Sequence, residues 1–302
     1  MLEEAASQTQ ASVRALYGHT YGEMRAAGFT AVGEFHYLGA ETALAAAEAA
    51  EQAGIAFVCV YVAYARGGLP RMRQESVAAY LGELERLRER GLAVAVAPHS
   101  VRACPRDWLE ELGRYARDQG LPLHVHADEQ PREVEECIAE HGLRPIELLA
   151  DCGCLGERTT IVHATHANGA ELDLLRDTGS TICACPTTEA DLGDGFLPAV
   201  RIRHRGIPLC IGSDSNVRID PFEELRQLEG IARRQEGRRN VFSTDELWEI
   251  GGANGGIALG LDAWPAIGVD SLHRSLEGVA EEHVVAALIA GCGADVVTSS
   301  AP

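Results

Sequence analysis

Short apolar runs alternate with longer segments of helical periodicity along most of the chain. The runs are rich in β-branched and other apolar residues and have the length of buried strands; they cover residues 29–37, 55–62, 92–98, 121–127, 159–164, 180–185 and 207–213. Between them, apolar residues recur every three or four positions in segments 41–53, 73–90, 107–119, 131–150 and 169–177. The pattern predicts a chain of repeated strand–helix units.

Strands that are apolar along their whole length predict a parallel sheet covered by helices, either a doubly wound sheet or a (β/α)8 barrel. No glycine-rich phosphate loop follows any predicted strand, which disfavours a nucleotide-binding sheet. We therefore predict an α/β fold of the TIM-barrel type. Strand one of the barrel is absent from the pattern, because seven strands are predicted and a helix-like segment, 5–27, precedes them. The predicted division is a barrel over 1–265 and a C-terminal tail over 266–302, the remnant of a small β-domain.

Polar residues that can do chemistry stand at the ends of five predicted strands. A barrel collects the carboxyl ends of its strands around one mouth, so these residues are expected to form one site. Imidazole nitrogens and carboxylate oxygens suit Zn²⁺, and the competing interpretation is a set of core histidines satisfied by hydrogen bonds. The residues are Glu34 and His36, His99, His124 and His126, His163 and His166, and Ser213 and Asp214.

Charge and composition narrow the class of partner. Lysine and arginine number 26 against 45 aspartates and glutamates, a formal net charge of −19, so nucleic acid and anionic membranes are expected to be repelled. The first residues lack the pattern of a secretory signal, and no apolar run has the length of a membrane span. The nine cysteines do not suggest a disulfide framework. We expect a cytoplasmic protein.

Several segments resemble the amidohydrolase superfamily, and within it the formimidoylglutamate deiminases of histidine degradation. The resemblance runs from about residue 10 to about residue 262 and rests on 33–37 (GEFHY), 97–103 (APHSVRA), 124–130 (HVHADEQ), 162–166 (VHATH), 185–195 (CPTTEADLGDG) and 211–215 (IGSDS). It implies a metal-dependent hydrolase barrel that breaks a carbon–nitrogen bond, with deimination of N-formimidoyl-L-glutamate to N-formyl-L-glutamate and ammonia as the expected reaction.

The resemblance also assigns catalytic and metal-binding roles. It makes His126 and Asp214 ligands of one Zn²⁺ ion, or of another divalent metal, and Asp214 also an acceptor of the proton of the attacking water. Glu129 becomes the proton shuttle that protonates the departing nitrogen. His163 becomes the group that polarises the carbon under attack.

The resemblance assigns a second set of residues to the substrate, expected to be a small molecule with a carboxylate. Arg102, with His99 beside it, is expected to hold that carboxylate, because a guanidinium can fork onto two oxygens. Tyr61, with Tyr64 as the less favoured choice, is expected to contribute a hydroxyl. Glu189 and Asp194 are expected at the same mouth, with either a catalytic or a loop-forming role.

One element of the family pattern is missing from the chain. The superfamily carries a His-x-His pair of zinc ligands on its first strand, and the only such pair here, His124 and His126, belongs to the fifth barrel strand. Two alternatives therefore stay open: an inactive or impaired truncated barrel, and a deaminase of another small carboxylate. A homodimer is also allowed.

Overall fold

The computed structural model describes residues 9–298, and at its centre lies a curled sheet of parallel strands. The strands pair in chain order, so that each strand–helix–strand unit places the next strand beside the last. They are β1 (Ala31–His36), β2 (Ala56–Ala63), β3 (Val94–Pro98), β4 (Leu123–Ala127), β5 (Thr159–His163), β6 (Thr181–Ala184) and β7 (Leu209–Ile211). The predicted α/β fold, a TIM-type barrel lacking one strand, is confirmed.

Helices connect the strands and pack around the sheet. They are α1 (Gln10–Ala27), α2 (Ala40–Ala53), α3 (Val77–Glu89), α4 (Arg106–Gln119), α5 (Pro131–His141), α6 (Pro145–Asp151), α7 (Gly169–Thr178), α8 (Pro186–Leu192), α9 (Ala199–His204), α10 (Pro221–Glu236), α11 (Thr244–Gly251), α12 (Ala253–Ala258) and α13 (Val284–Gly291). Several helices begin after a residue whose side chain accepts hydrogen bonds from backbone N–H groups of the first turn. Examples are Ser76 before α3 and Asn168 before α7.

The alternation of side chains along β2 separates two apolar layers. Val58, Val60 and Val62 belong to a cluster that packs with Phe35 on one face of the sheet. Cys59, Tyr61 and Ala63 belong to the larger cluster that includes the buried face of α3. The strand is therefore buried on both faces, as its continuous apolar sequence indicates.

Two predicted helices differ from the structure. The segment 131–150 is two helices, α5 and α6, because Gly142 adopts a left-handed conformation after α5 and Pro145 opens α6. The opening helix begins at Gln10, and the part of the predicted segment before residue 9 lies outside the described residues.

The C-terminal segment packs on α10, α11 and α1. It contains a short antiparallel pair, β8 (Gly268–Val269) and β9 (Val297–Thr298), and 3-10 turns at Arg274–Leu276, Glu281–His283 and Ala294–Val296. Phe222 of α10 packs in an apolar cluster with Leu276 and Leu288 of this segment. Its assignment as a remnant domain stays a prediction. Within residues 9–298, no helix combines the length and the apolar character needed to cross a membrane.

Candidate active site

Polar residues from four of the five predicted strand ends meet in one cavity, because the carboxyl ends of parallel strands lie at the same edge of the sheet; Glu34 and His36 do not line it. This site cavity has a volume of about 430 Å³. His99 follows β3, His163 is the last residue of β5, and Asp214 lies in the loop after β7. The sequence-predicted residues that the structure brings together around it are Tyr64, His99, Arg102, His126, Glu129, His163 and Asp214.

His126 is held as a neutral imidazole. Its Nδ1 lies 2.9 Å from the carbonyl oxygen of His99, to which it donates, so the Nε2 lone pair is left free. Burial, together with the charge of His163, lowers the pKa of His126 to about 4. The ring is therefore suited to act as a ligand or as a hydrogen-bond acceptor.

The surroundings of His163 raise its pKa, in contrast to those of His126. Burial by itself would lower its pKa, but the hydrogen bond and charge of Glu189 and the charges of Glu129 and Asp214 raise it to about 9. Its Nδ1 is 3.3 Å from Glu189 Oε1. Its Nε2 is 3.9 Å from a carboxylate oxygen of Glu129 and 3.9 Å from one of Asp214. The ring is thus a cationic donor enclosed by three carboxylates.

Glu129 is shared between His163 and Arg102. Its Oε2 accepts a hydrogen bond of 2.6 Å from Arg102 Nη2. Burial would raise the pKa of Glu129, but the charges of His163 and Arg102 lower it overall. The carboxylate that could carry a proton therefore lies between an imidazole and a guanidinium.

Backbone strain is concentrated where these side chains leave the sheet. Asp128, His163, Ala164 and Asp214 have φ values of +54°, +75°, +55° and +40°, in the left-handed region that costs a non-glycine residue about 1 kcal/mol. Three strand ends carry this strain at the same mouth, as is common where side chains are directed into a functional site.

Tyrosines and His99 form one wall of the cavity. The ring of Tyr64 lies 4.6 Å from that of His99, and Tyr37 is 6.0 Å from His99 on another side. Tyr37 was not predicted as a site residue, although its position directly after β1 is the same signal that the other strand ends carry.

Tyr61 is not part of this group. Its hydroxyl donates to Glu83 of α3, and its ring stacks on that of Tyr80 at 5.4 Å between centroids. The alternation of β2 turns it toward the helical layer, so Tyr64 occupies the place at the cavity that was expected for Tyr61.

A larger cavity of about 660 Å³ adjoins the site cavity between β1, β7 and α1. His126 and Asp214 line both cavities.

Glu34 lines the larger cavity, but its carboxylate accepts a hydrogen bond from Tyr17 and lies 2.9 Å from His36 Nδ1. His36 is fully buried and its other nitrogen faces Thr42 Oγ1 at 2.8 Å. Neither residue is free to replace the missing His-x-His pair.

The donor set does not fit a zinc centre. Protein zinc sites use three or four side-chain ligands. In the part of the chain from residue 9 to residue 298, no group of three or more histidine, cysteine, aspartate or glutamate side chains is arranged to hold a metal ion. His126 and Asp214 are thus two of the expected ligands and not a complete set.

Comparison with known proteins identifies the source of the strand-end pattern. The model of the Amidohydrolase family matches residues 6–263. The chain is 36% identical over 254 residues to formimidoylglutamate deiminase of Pseudomonas aeruginosa, covering 76% of this chain and 56% of that protein. It is 34% identical over 172 residues to a 5-methylthioadenosine/S-adenosylhomocysteine deaminase of Halobacterium salinarum, covering 56% of this chain and 40% of that protein. The chain thus spans about half the length of these curated relatives.

Solved structures give the same picture of the fold. An amidohydrolase from Brucella melitensis matches with a TM-score of 0.85 and 31% identity, covering 97% of this chain and 75% of that one. An adenosine deaminase from Xanthomonas campestris with bound zinc matches with a TM-score of 0.87 and 24% identity, covering 98% and 69%. The second likeness concerns the fold alone.

Proposed function

Because the chain belongs to the amidohydrolase family, we propose that it hydrolyses a carbon–nitrogen bond of a small carboxylate substrate, N-formimidoyl-L-glutamate. The products would be N-formyl-L-glutamate and ammonia. The observation that carries this proposal is the site cavity, in which a guanidinium for the carboxylate and a carboxylate–imidazole pair for proton transfer lie side by side.

Arg102 supplies the positive charge that an anionic substrate needs in a chain of net charge −19. Its side chain is about one-third exposed and faces the site cavity next to His99 and Tyr64. A guanidinium can form two parallel hydrogen bonds to a carboxylate. We assign Arg102 and His99 to the carboxylate, with Tyr64 in place of Tyr61 as the hydroxyl donor.

Three residues can take part in the proton transfers of this reaction: Glu129, His163 and Asp214. The oxygen of water adds to the formimidoyl carbon, the carbon–nitrogen bond to the terminal imino nitrogen breaks, and that nitrogen takes both protons of the water and leaves as ammonia. Glu129 can carry protons to the nitrogen, because it lies beside His163 in the cavity. His163, protonated at neutral pH, can hydrogen-bond to the group under attack, and Asp214 is a second proton acceptor.

A second candidate is a barrel without catalytic activity. It is favoured by the incomplete metal-ligand set within residues 9–298. Zinc dependence, which the resemblance of the strand-end motifs implies, needs ligands beyond His126 and Asp214. Deamination of an adenosine-type substrate is the other reaction to test, because the Halobacterium salinarum relative is a deaminase of such substrates.

Ammonia release from a panel of substrates separates these candidates. The purified chain is assayed with N-formimidoyl-L-glutamate, 5′-methylthioadenosine and S-adenosylhomocysteine, with and without added Zn²⁺. We expect release from the first substrate alone and its loss in Arg102→Met, with Arg132→Met as the matched exposed control. Release from either nucleoside would assign the substrate differently. A folded chain that releases no ammonia from any of them supports the inactive barrel.

A further inference from the structure

Behind Glu129 lies a second acidic side chain for which the sequence suggested no role. Glu133 lies in the first turn of α5 and is only 1% exposed to solvent. A carboxylate in the first helical turn is favoured by the helix dipole. Burial nevertheless raises the pKa of Glu133 to about 7, despite the opposing charge of Arg102. A buried carboxylate of this kind needs partners, and those of Glu133 are both site residues.

One oxygen of Glu133 fixes the backbone of Glu129. The amide N–H of Glu129 donates to Glu133 Oε2 over 3.0 Å. Because Glu129 follows Asp128, whose φ is +54°, the chain turns sharply at this point. The hydrogen bond therefore holds the segment that carries the proposed proton shuttle.

The other oxygen of Glu133 faces Arg102 without bonding to it. Glu133 Oε1 is buried, has no hydrogen-bond partner, and lies 3.9 Å from Arg102 Nε. The guanidinium instead donates to Glu129 through Nη2. An unpartnered buried carboxylate oxygen is costly, and a small shift of the guanidinium would satisfy it.

We propose that Glu133 is a positioning residue, which fixes the backbone of Glu129 and anchors Arg102 when a substrate carboxylate displaces Glu129 from the guanidinium. Glu129 cannot carry a proton freely while it is paired with Arg102. When the substrate carboxylate takes the Nη groups, Glu129 is released toward His163, and Arg102 keeps Glu133 as its protein partner. This inference rests on the proposed function and names the exchange of partners at its site.

Two substitutions separate the two contacts of Glu133. Glu133→Gln retains an oxygen that accepts the Glu129 N–H but removes the charge beside Arg102. We expect KM for N-formimidoyl-L-glutamate to rise about tenfold, the size of effect typical when a charged group loses an ionic partner, with kcat within about twofold of the native value. Glu133→Ala also removes the acceptor, so kcat falls about tenfold in addition.

Glu136→Gln is the matched control on the same helix. Glu136 is about half exposed and pairs with Arg132. It is expected to leave KM and kcat unchanged. If Glu133→Gln lowers kcat without raising KM, or behaves like Glu136→Gln, the proposed anchoring of Arg102 is wrong.

A measurement without turnover keeps the inference separate from the proposed function. The Nε–Hε NMR signal of Arg102, assigned by its loss in Arg102→Lys, is followed during titration with N-formyl-L-glutamate. We expect its hydrogen exchange to be about tenfold faster in Glu133→Gln than in the native chain or Glu136→Gln. Equal exchange in all three overturns the inference. If the native chain binds N-formyl-L-glutamate but releases no ammonia from N-formimidoyl-L-glutamate, the proposed reaction fails, while the exchange rates still decide the role of Glu133. If the native chain does not bind N-formyl-L-glutamate, both the proposed function and the inference fail.

Discussion

His126 and His163 are buried imidazoles on neighbouring strands, with ring centroids 5.5 Å apart, and their surroundings shift their pKa values in opposite directions. Burial and the charge of His163 lower the pKa of His126 to about 4. Glu189, Glu129 and Asp214 raise the pKa of His163 to about 9 against the effect of burial. One ring is thus an acceptor and the other a donor at neutral pH, a separation typical of acid–base sites.

The choice between two tyrosines is testable at this scale. In Tyr64→Phe we expect KM for the carboxylate substrate to rise about fivefold, because one hydrogen bond to a charged group is lost. Tyr61→Phe removes a hydroxyl that donates to Glu83 and should leave KM unchanged. Steady-state kinetics of both variants decide the matter, and a KM effect in Tyr61→Phe alone would reverse the assignment.

Glu224 gives a prediction for stability against pH. Burial raises its pKa to about 7 from the ordinary value of 4.5, although it accepts hydrogen bonds from Thr187. The folded state holds the proton more tightly, so this stabilisation is complete below pH 4.5 and is lost as pH rises through 7. The free energy of unfolding should fall over this range more steeply in the native chain than in Glu224→Gln, by up to about 1.4 kcal/mol per pH unit. The measurement is a set of denaturant titrations at several pH values. If the free energy of unfolding changes with pH equally in the native chain and in Glu224→Gln, the prediction is wrong.

At the scale of elements, the apolar pattern was sufficient to predict the seven strands and their parallel order, because most of the strands are buried on both faces, although β1 is only partly buried. It could not tell which face of β2 looks toward the helices, so it could not correct the preference for Tyr61 over Tyr64 that came from the family resemblance. Nor could it find Glu133, because a glutamate in a helical first turn is ordinarily exposed. The contacts of such a residue depend on the packing of α5 against Arg102, which no local pattern encodes.

A glycine in α4 marks a close approach between elements. A Cβ at Gly113 would lie 2.9 Å from Cys154 Sγ and 3.3 Å from the Cys154 backbone. Gly113→Ala should therefore destabilise the fold by about 1–3 kcal/mol. Gly82→Ala in α3, which meets nothing within 4 Å, should instead stabilise by about 0.5 kcal/mol. The urea midpoints of the two variants and of the native chain measure both effects. A midpoint for Gly113→Ala equal to that of the native chain would contradict the close packing of α4.

At the scale of the whole molecule, the sheet of residues 9–298 is an open barrel. The strand order runs from β1 to β7, and no strand among the described residues joins these two edges. The larger cavity lies at this gap. Unpaired N–H and C=O groups on two edge strands favour pairing with other chains.

The open edges predict self-association. In sedimentation velocity, the purified chain should form oligomers whose size increases with protein concentration. The high net charge opposes this association, so raising the salt concentration should strengthen it. A preparation that stays monomeric and unfolds cooperatively at all concentrations would show that the edges are protected.

The most direct test of the central claim is ammonia release from N-formimidoyl-L-glutamate by the purified chain with added Zn²⁺, compared with Glu129→Gln. We predict release by the native chain and a loss of about 100-fold or more in the variant, because a positioned proton carrier contributes that much. Release that is equal in both proteins, or absent from a folded native chain, would contradict the account.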